Sequence, residues 1–298
     1  MALYIGGILM IIDGKAISAD LEEQIKAQVQ AIEGRKPCLV VIIVGDHAPS
    51  QVYVRKKEEA CNRCGITSKR IDLPDTTTQE ELLSKIDELN QDDTVDGILV
   101  QLPLPDAIDP DLIIEAIHPL KDVDGFHPIN VGRTLIGSPS ALSPCTPAGV
   151  HSLLQAANID VAGKHVVIVG RSNIVGKPLA AILMQKAPGC NATVTVAHSR
   201  TRNLKEVCLT ADILVAAIGR HATITADMVK QGAVVIDVGT NRVDDPSKKR
   251  GYRIAGDVDF ESVKEIASAI TPVPGGVGPM TIVMLMKNTL TAYNLRNQ

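Results

Sequence analysis

Short apolar runs alternate with amphipathic stretches along almost the whole chain, and this alternation narrows the possible folds more than any other feature. A run such as Cys38-Leu-Val-Val-Ile-Ile-Val-Gly45 has no polar face, so as a strand it must be covered on both sides. The intervening amphipathic stretches supply that cover as crossover helices. The pattern therefore predicts a parallel α/β architecture, not separate helical and stranded halves. In the first part, Cys38–Gly45 and Asp96–Leu102 read as buried strands, with helices near 18–33, 50–64, 78–91 and 109–117. A Pro- and Gly-rich passage over 119–149 contains Ser143-Pro-Cys-Thr-Pro147 and precedes a helix near 148–157, which places a domain boundary there. Beyond it, His165–Gly170, Ala192–His198, Asp212–Gly219 and Ala233–Gly239 read as the strands of a nucleotide-binding sheet. Thr271-Pro-Val-Pro-Gly-Gly-Val-Gly-Pro279 then interrupts regular structure before a last apolar helix over about 281–294. The reading is two α/β domains. Residues 1–147 form the first, rejoined by a terminal helix over 280–298, and 148–279 form a Rossmann-like second.

With 298 residues and 45% hydrophobic content, the chain is long enough to bury the cores of two domains. Thirty basic residues against 34 acidic give a net charge of -4, so no global positive field favours nucleic acid or an anionic membrane. Neither is expected as a partner. The six cysteines, at 38, 61, 64, 145, 190 and 208, are scattered through apolar runs and read as reduced cytosolic thiols. Cys61-x-x-Cys64 has no second Cys or His pair at zinc-site spacing, so no metal is expected. The first twelve residues are apolar, yet they lack a basic leader region and are too short to span a bilayer. They read as an extension before the domain proper, with Met10 a possible start and a cytoplasmic location for the protein.

Polar groups in apolar surroundings mark the candidate site. Ser50 is predicted to cap, and Gly65 to stop, a helix over 51–64 on which Tyr53 and Lys57 share a face with Ala60, Cys61 and Cys64. A lysine on such a stripe either snorkels at the edge of a core or stands in a cleft. Gln101 falls at the carboxyl end of a predicted parallel strand, where ligands of open sheets gather, although loop hydrogen bonds also use glutamine there.

Gly170-Arg-Ser-Asn-Ile-Val-Gly176 follows a strand and opens a helix, the context in which backbone N–H groups and a helix N-terminus meet a pyrophosphate. Ser172 stands where the second glycine of the usual fingerprint belongs, and a tight turn without a ligand is the competing reading. The next strand ends Ala197-His-Ser-Arg200, with no acidic residue to hold a ribose 2′-hydroxyl. Arg171, Ser199 and Arg200 instead offer charge and donors suited to a 2′-phosphate, which favours NADP over NAD. Solvated surface is the competing reading for either arginine.

Together these segments resemble the bifunctional methylenetetrahydrofolate dehydrogenase/cyclohydrolase family over nearly the whole chain after Met10. The blocks that carry the likeness are Ser50-Gln-Val-Tyr-Val-Arg-Lys-Lys57, Gly97-Ile-Leu-Val-Gln-Leu-Pro-Leu-Pro105, Lys121-Asp-Val-Asp-Gly125, Pro144-Cys-Thr-Pro147, Gly170–Pro178 and Thr271–Thr281. The resemblance implies an N-terminal catalytic domain, a C-terminal nucleotide domain, a folate cleft between them and a homodimer formed through the nucleotide domains. It implies NADP-dependent oxidation of 5,10-methylenetetrahydrofolate to the methenyl form, then hydrolysis to 10-formyltetrahydrofolate, a supply of one-carbon units for purine biosynthesis.

By the same resemblance, Lys57 manages protons for ring opening, Gln101 holds Lys57 and the water in register, Tyr53 stacks on the folate and Asp124 anchors the pterin. Leu102, Pro272, Gly275 and Gly276 line the substrate, and Gly170, Arg171, Ser172, Ile174, Ser199, Arg200 and Thr240 meet the cofactor. Asp122 is read as an organiser of its loop. Read from turn chemistry alone, 272–279 is an interdomain linker. The chain departs from the family in the residues before Met10, in a longer Lys186–Cys190 loop, and in Thr240, where an aliphatic residue is usual. A dehydrogenase without the hydrolytic step, a folate-binding protein without turnover, and an unrelated shikimate-type dehydrogenase are the alternatives.

Overall fold

A computed structural model of the chain describes residues 9–248 and 250–297. In chain order its elements are β1 (Met10–Ile11), α1 (Gly14–Ala31), β2 (Cys38–Val44), α2 (Ala48–Cys64), β3 (Thr67–Leu73), α3 (Gln79–Gln91), β4 (Gly97–Val100), α4 (Pro110–Ala116), α5 (Pro128–Leu135) and α6 (Cys145–Ala156). There follow β5 (His165–Val169), α7 (Gly176–Leu183), β6 (Thr193–Ala197), α8 (Leu204–Leu209), β7 (Ile213–Ala216), β8 (Val234–Asp237), β9 (Asn241–Asp244), β10 (Tyr252–Ala255), α9 (Phe260–Val263), β11 (Ala269–Ile270) and α10 (Val277–Arg296). The chain divides into two compact units, one of Met1–Ser18 with Thr146–Thr281 and one of Ala19–Cys145 with Ile282–Gln298.

The unit built on Ala19–Cys145 has a parallel sheet of order β3-β2-β4. All seven residues of β2 are buried, as an apolar run without a polar face requires. β3, which apolar runs do not reveal, is the edge strand Thr67-Ser-Lys-Arg-Ile-Asp-Leu73, with polar residues on its exposed positions. Gly97 packs so closely that a Cβ there would lie 2.7 Å from Val123 Cγ1. Beside β4, Ile98 N donates to Lys121 O at 2.8 Å, so the Lys121–Asp122 segment continues the ladder for one bridge.

Lys121 is 2% exposed, and its ammonium donates to the carbonyls of Leu89, Asn90 and Asp92 at 2.8 Å each. These are carbonyls at the C-terminus of α3, which has no basic residue in its last turn. Desolvation pulls the Lys121 pKa down to about 8, helped by the Arg296 guanidinium, so at neutral pH the group stays protonated with all three donors used.

The other unit has a six-stranded parallel sheet of order β1-β11-β8-β7-β5-β6 and a separate antiparallel pair, β10-β9. Every strand expected of a nucleotide-binding sheet is present. The segment before Asp13 departs from its reading as an extension attached to the first domain. Met10 and Ile11 pair in parallel with Ala269 and Ile270, Leu9 packs on the core of this sheet, and Ile12 is 2% exposed. The reading of residues 1–8 falls outside the described residues. Helices α5 and α10 also differ from expectation. α5 lies inside the passage read as irregular, and α10 begins at Val277, within the Pro- and Gly-rich break.

Replacing Lys121 with Met, which keeps the aliphatic stem and removes the donors, should destabilise its unit by about 3 kcal/mol, because three carbonyls lose their partner. Urea denaturation followed by circular dichroism measures this. A midpoint equal to that of the wild type would show the carbonyls to be satisfied otherwise.

Candidate active site

Helix α2 begins at Ala48, two residues before the expected cap. His47 is its N-cap, and Ser50 lies inside the first turn with its hydroxyl 2.9 Å from His47 Nδ1. Gly65 ends it in the left-handed conformation at φ 74°, as predicted. Val54, Ala60, Cys61 and Cys64 on this helix are fully buried, and burial pushes the Cys61 and Cys64 thiols up to about 12 and about 11. They are core side chains. Lys57 is half-buried at the edge of this stripe, whereas Tyr53, one turn earlier, keeps 44% of its surface.

The Lys57 ammonium donates to Gln101 Oε1 at 3.0 Å. Gln101 is placed by its own backbone, since its N–H donates to Ile42 O at 2.9 Å and extends the ladder one residue past β4. Its side-chain Nε2 donates to Leu102 O at 2.7 Å, which fixes the amide with its oxygen toward the lysine. Asp124 completes the cluster. Desolvation raises its carboxyl above the usual range, the Lys57 ammonium opposes that shift, and the Asp122 carboxylate adds to it. Leu102, Asp124, Phe126 and Ile113 share the lining of one small cavity.

Asp122 serves the loop, as its place in the sequence implied. Its oxygens accept from the backbone N–H groups of Gly125, Phe126 and His127 at 3.1, 3.3 and 2.9 Å, and from Asn130 Nδ2 at 2.9 Å. Gly125 must be glycine, because at φ 77° a Cβ would stand 2.5 Å from Leu142 O.

Two residues near Asp124 escaped the sequence reading. Asn288, on α10, donates through Nδ2 to Val123 O and Ser143 O at 2.9 Å each, clamping the residue before Asp124. Cys145 donates to Val123 O at 3.3 Å, and burial and the Asp124 carboxylate both raise its thiol well above the ordinary value. The signal for Asn288 was present: an amide inside Thr281-Ile-Val-Met-Leu-Met-Lys-Asn-Thr-Leu290 must find partners if that helix is buried.

In the other unit, Gly170 sits at φ 142° at the end of β5, where a Cβ would be 2.1 Å from Ala217 O. A Cβ on Gly176 would be 2.0 Å from Gly170 O, so the turn closes on itself and α7 starts flush against the strand end. The Ser172 hydroxyl accepts from Val175 N at 3.1 Å, shaping the turn where a glycine is usual. Arg171, Ser172 and Ile174 are exposed on the turn, Ser199 and Arg200 are exposed just past β6, and Thr240 is exposed past β8. A tight glycine cradle ringed by exposed donors fits a dinucleotide.

Pro272, Gly275 and Gly276 belong to this same unit. Gly275 has φ 115°, and a Cβ on Gly14 would fall 1.9 Å from Gly276 O, so the segment packs on the start of α1 and is not a free linker. Among the described residues, no group of three or more His, Cys, Asp or Glu side chains is arranged to hold a metal ion. No helix among them is long and apolar enough to cross a membrane.

Fold and clusters define a class: two α/β units, one a dinucleotide-binding sheet, the other carrying a lysine and a carboxamide at a strand tip. Residues 12–124 match the catalytic domain of tetrahydrofolate dehydrogenase/cyclohydrolase, and residues 144–297 match the NAD(P)-binding domain of the same family. The chain belongs to this family. It is 55% identical to the bifunctional protein FolD of Protochlamydia amoebophila, over 96% of this chain and 98% of that protein. It resembles the crystal structure of the bifunctional FolD of Campylobacter jejuni with a TM-score of 0.91 and 49% identity, covering 97% of this chain and all of that one. The Trypanosoma brucei FolD, solved with NADP cofactor and an inhibitor, aligns with a TM-score of 0.92 and 40% identity, covering 98% of this chain and 100% of that one.

Gly176→Ala should abolish measurable dinucleotide binding, because the methyl group meets backbone with no room to yield. Titration with NADPH followed by fluorescence checks this, and native affinity in the variant would contradict the cradle.

Proposed function

We propose that this chain catalyses both steps of its family: oxidation of 5,10-methylenetetrahydrofolate to 5,10-methenyltetrahydrofolate with NADP, then hydrolysis to 10-formyltetrahydrofolate. The observation that carries the reading is the 3.0 Å hydrogen bond from Lys57 to Gln101 Oε1. The presence of both residues, held together, argues against a dehydrogenase that has lost ring opening.

When bound, NADP supplies the nicotinamide that accepts the hydride. Gly170, Gly176 and the backbone of the turn would hold its pyrophosphate, and Ser172, Ile174 and Thr240 would contact the cofactor. Arg171, Ser199 and Arg200 take the 2′-phosphate through charge-assisted hydrogen bonds, which sets the preference over NAD.

In the hydrolytic step, water adds to the methenyl carbon and gives up one proton; the ring C–N bond then breaks as that nitrogen gains a proton and the hydroxyl gives up its own to become the formyl oxygen, so one proton is released overall. Lys57 exchanges protons at Nζ in these transfers, and Gln101 keeps the ammonium directed while its own amide is pinned by Leu102 O. Asp124 accepts N–H donors from the aminopyrimidine edge of the pterin. Tyr53, exposed one turn from Lys57, stacks on the folate, and Leu102, Pro272, Gly275 and Gly276 present backbone and apolar surface to it.

We place the protein in the cytoplasm and read it as a homodimer formed through the nucleotide unit. Six buried, unpaired cysteines support a reducing compartment. β6 ends its sheet and leaves Val196 37% exposed, which supports an edge that takes a partner.

Lys57→Ala should slow ring opening about 10²- to 10⁴-fold, the range of a lost acid–base group, while NADP still binds. Decay of methenyltetrahydrofolate absorbance measures it, and a native rate would remove Lys57 from its role. Losing the ammonium should also raise the Asp124 pKa further, so folate binding in the variant should weaken at a higher pH than in the wild type as pH falls. Arg171→Ala and Arg200→Ala should each raise KM for NADP by about tenfold without affecting NAD, as expected for a lost ionic hydrogen bond. Equal use of NADP and NAD by the wild type would overturn the phosphate assignment.

A further inference from the structure

Two carboxylates in the nucleotide unit lie in the interior without a basic partner, and the proposed reaction uses neither. Asp257 is fully buried and Asp237 is 3% exposed. Among the described residues no lysine or arginine forms an ion pair with either. Their partners are backbone amides. Asp257 Oδ2 accepts from the N–H groups of Ile218 and Gly219, just past β7, at 2.6 and 2.9 Å, and its Oδ1 accepts from Asn241 Nδ2 at 2.8 Å. Asp237 Oδ1 accepts from Gly239 N and Asp257 N at 2.9 Å each, and its Oδ2 accepts from Val258 N at 3.0 Å. The Asp237 N–H donates to Thr271 Oγ1 at 2.8 Å.

These bonds join the segments that leave the carboxyl ends of β7 and β8 to the segment after β10 and to the start of the Thr271–Pro279 loop. In an open parallel sheet, the carboxyl ends of the strands are where a dinucleotide lies. There is no slack in the arrangement. A Cβ on Gly239 would stand 2.3 Å from Asp257 Oδ1, and one on Gly256 would stand 1.8 Å from Asp237 Oδ2. Backbone N–H groups past β7 that turn inward to Asp257 fix the course of that loop, and Asn241 locks the carboxylate from the β9 side.

We infer that Asp257, locked by Asn241 and by Asp237, is a positioning residue for the dinucleotide: it sets the backbone past β7 and β8 against which the cofactor lies, without touching the cofactor itself. The inference rests on the nucleotide unit binding NADP, and it assigns the affinity for NADP partly to an interior hydrogen-bond pair.

The geometry defines its own test. In Asp257→Asn the oxygen can still accept from Ile218 and Gly219, but the new NH₂ group then faces the NH₂ of Asn241. Exchanging the two, Asn241→Asp with Asp257→Asn, restores one donor and one acceptor across the pair. With the full-length protein, the single variant should raise KM for NADP by about tenfold or more, the scale set by small displacements of a positioned ligand, while NADP-independent ring opening of methenyltetrahydrofolate keeps its wild-type rate. The double variant should recover KM to within about threefold of the wild type, as a restored hydrogen bond implies.

An unchanged KM in Asp257→Asn would overturn the inference. So would parallel loss of ring opening in both variants, which would give the pair to the fold alone, or a double variant no better than the single one. Failure of the wild type to reduce NADP would count instead against the proposed function.

Discussion

Both units hold their loops with carboxylates that have left water to collect backbone N–H groups. Asp122 takes three such groups and an amide, Asp237 three, and Asp257 two and an amide. A carboxylate that accepts several donors is stable in the interior only if all of them stay aimed at it, so each one fixes a short stretch of backbone more firmly than apolar packing does. The Asp124 turn exists because Asp122 holds the amides that follow it. Burial raises Asp122 above the ordinary carboxylate range, and its four donors oppose that rise. Where arginine is available the chain uses it: Asp96, wholly buried, is bound by Arg35 through Nη2 at 2.9 Å and by Arg296 at 3.0 Å.

Around that frame, the candidate chemistry in the lysine-bearing unit depends on two elements meeting at one point. α2 brings Lys57 along a buried stripe of small side chains, and β4 brings Gln101 at its tip. Cys61 and Cys64 matter here through size, because larger groups would lift the helix and lengthen the 3.0 Å bond. The family relationship gives this geometry its chemical meaning, and the geometry brings together a lysine and a carboxamide that are 44 positions apart in sequence.

Much of this was legible in the sequence because the signals were periodic or stereochemical. Strands β2, β5, β7 and β8 are apolar runs, Gly65 is a left-handed stop, and Gly170 and Gly176 mark a turn that closes on itself. Elements with weaker signals were missed. β3 is a polar edge strand, and α5 begins with His127-Pro128, inside a passage whose prolines and glycines read as loop. β1 has only two residues and gains its identity from β11, some 260 positions away in the chain, a distance no local pattern can bridge. Ser50 was read as a cap from its residue type, but His47 takes that place. Asn288, Asp237 and Asp257 were not identified, because a buried polar residue declares itself only when its partners are known. Lys57 drew notice as a polar group on an apolar stripe, which left snorkelling and a cleft both open, and only the family resemblance gave it a role.

Neither unit is a single stretch of chain. The sheet that binds the dinucleotide includes β1 from the start of the chain, and the unit that carries Lys57 includes Ile282–Gln298 from its end. During synthesis, residues 19–145 therefore emerge long before Asn288, and until it arrives the carbonyls of Val123 and Ser143 and one face of Asp96 must make do with solvent or nascent structure. The turn that bears Asp124 is in that sense the last part of its unit to set, and trimming the tail would loosen that turn while sparing the strands beneath it.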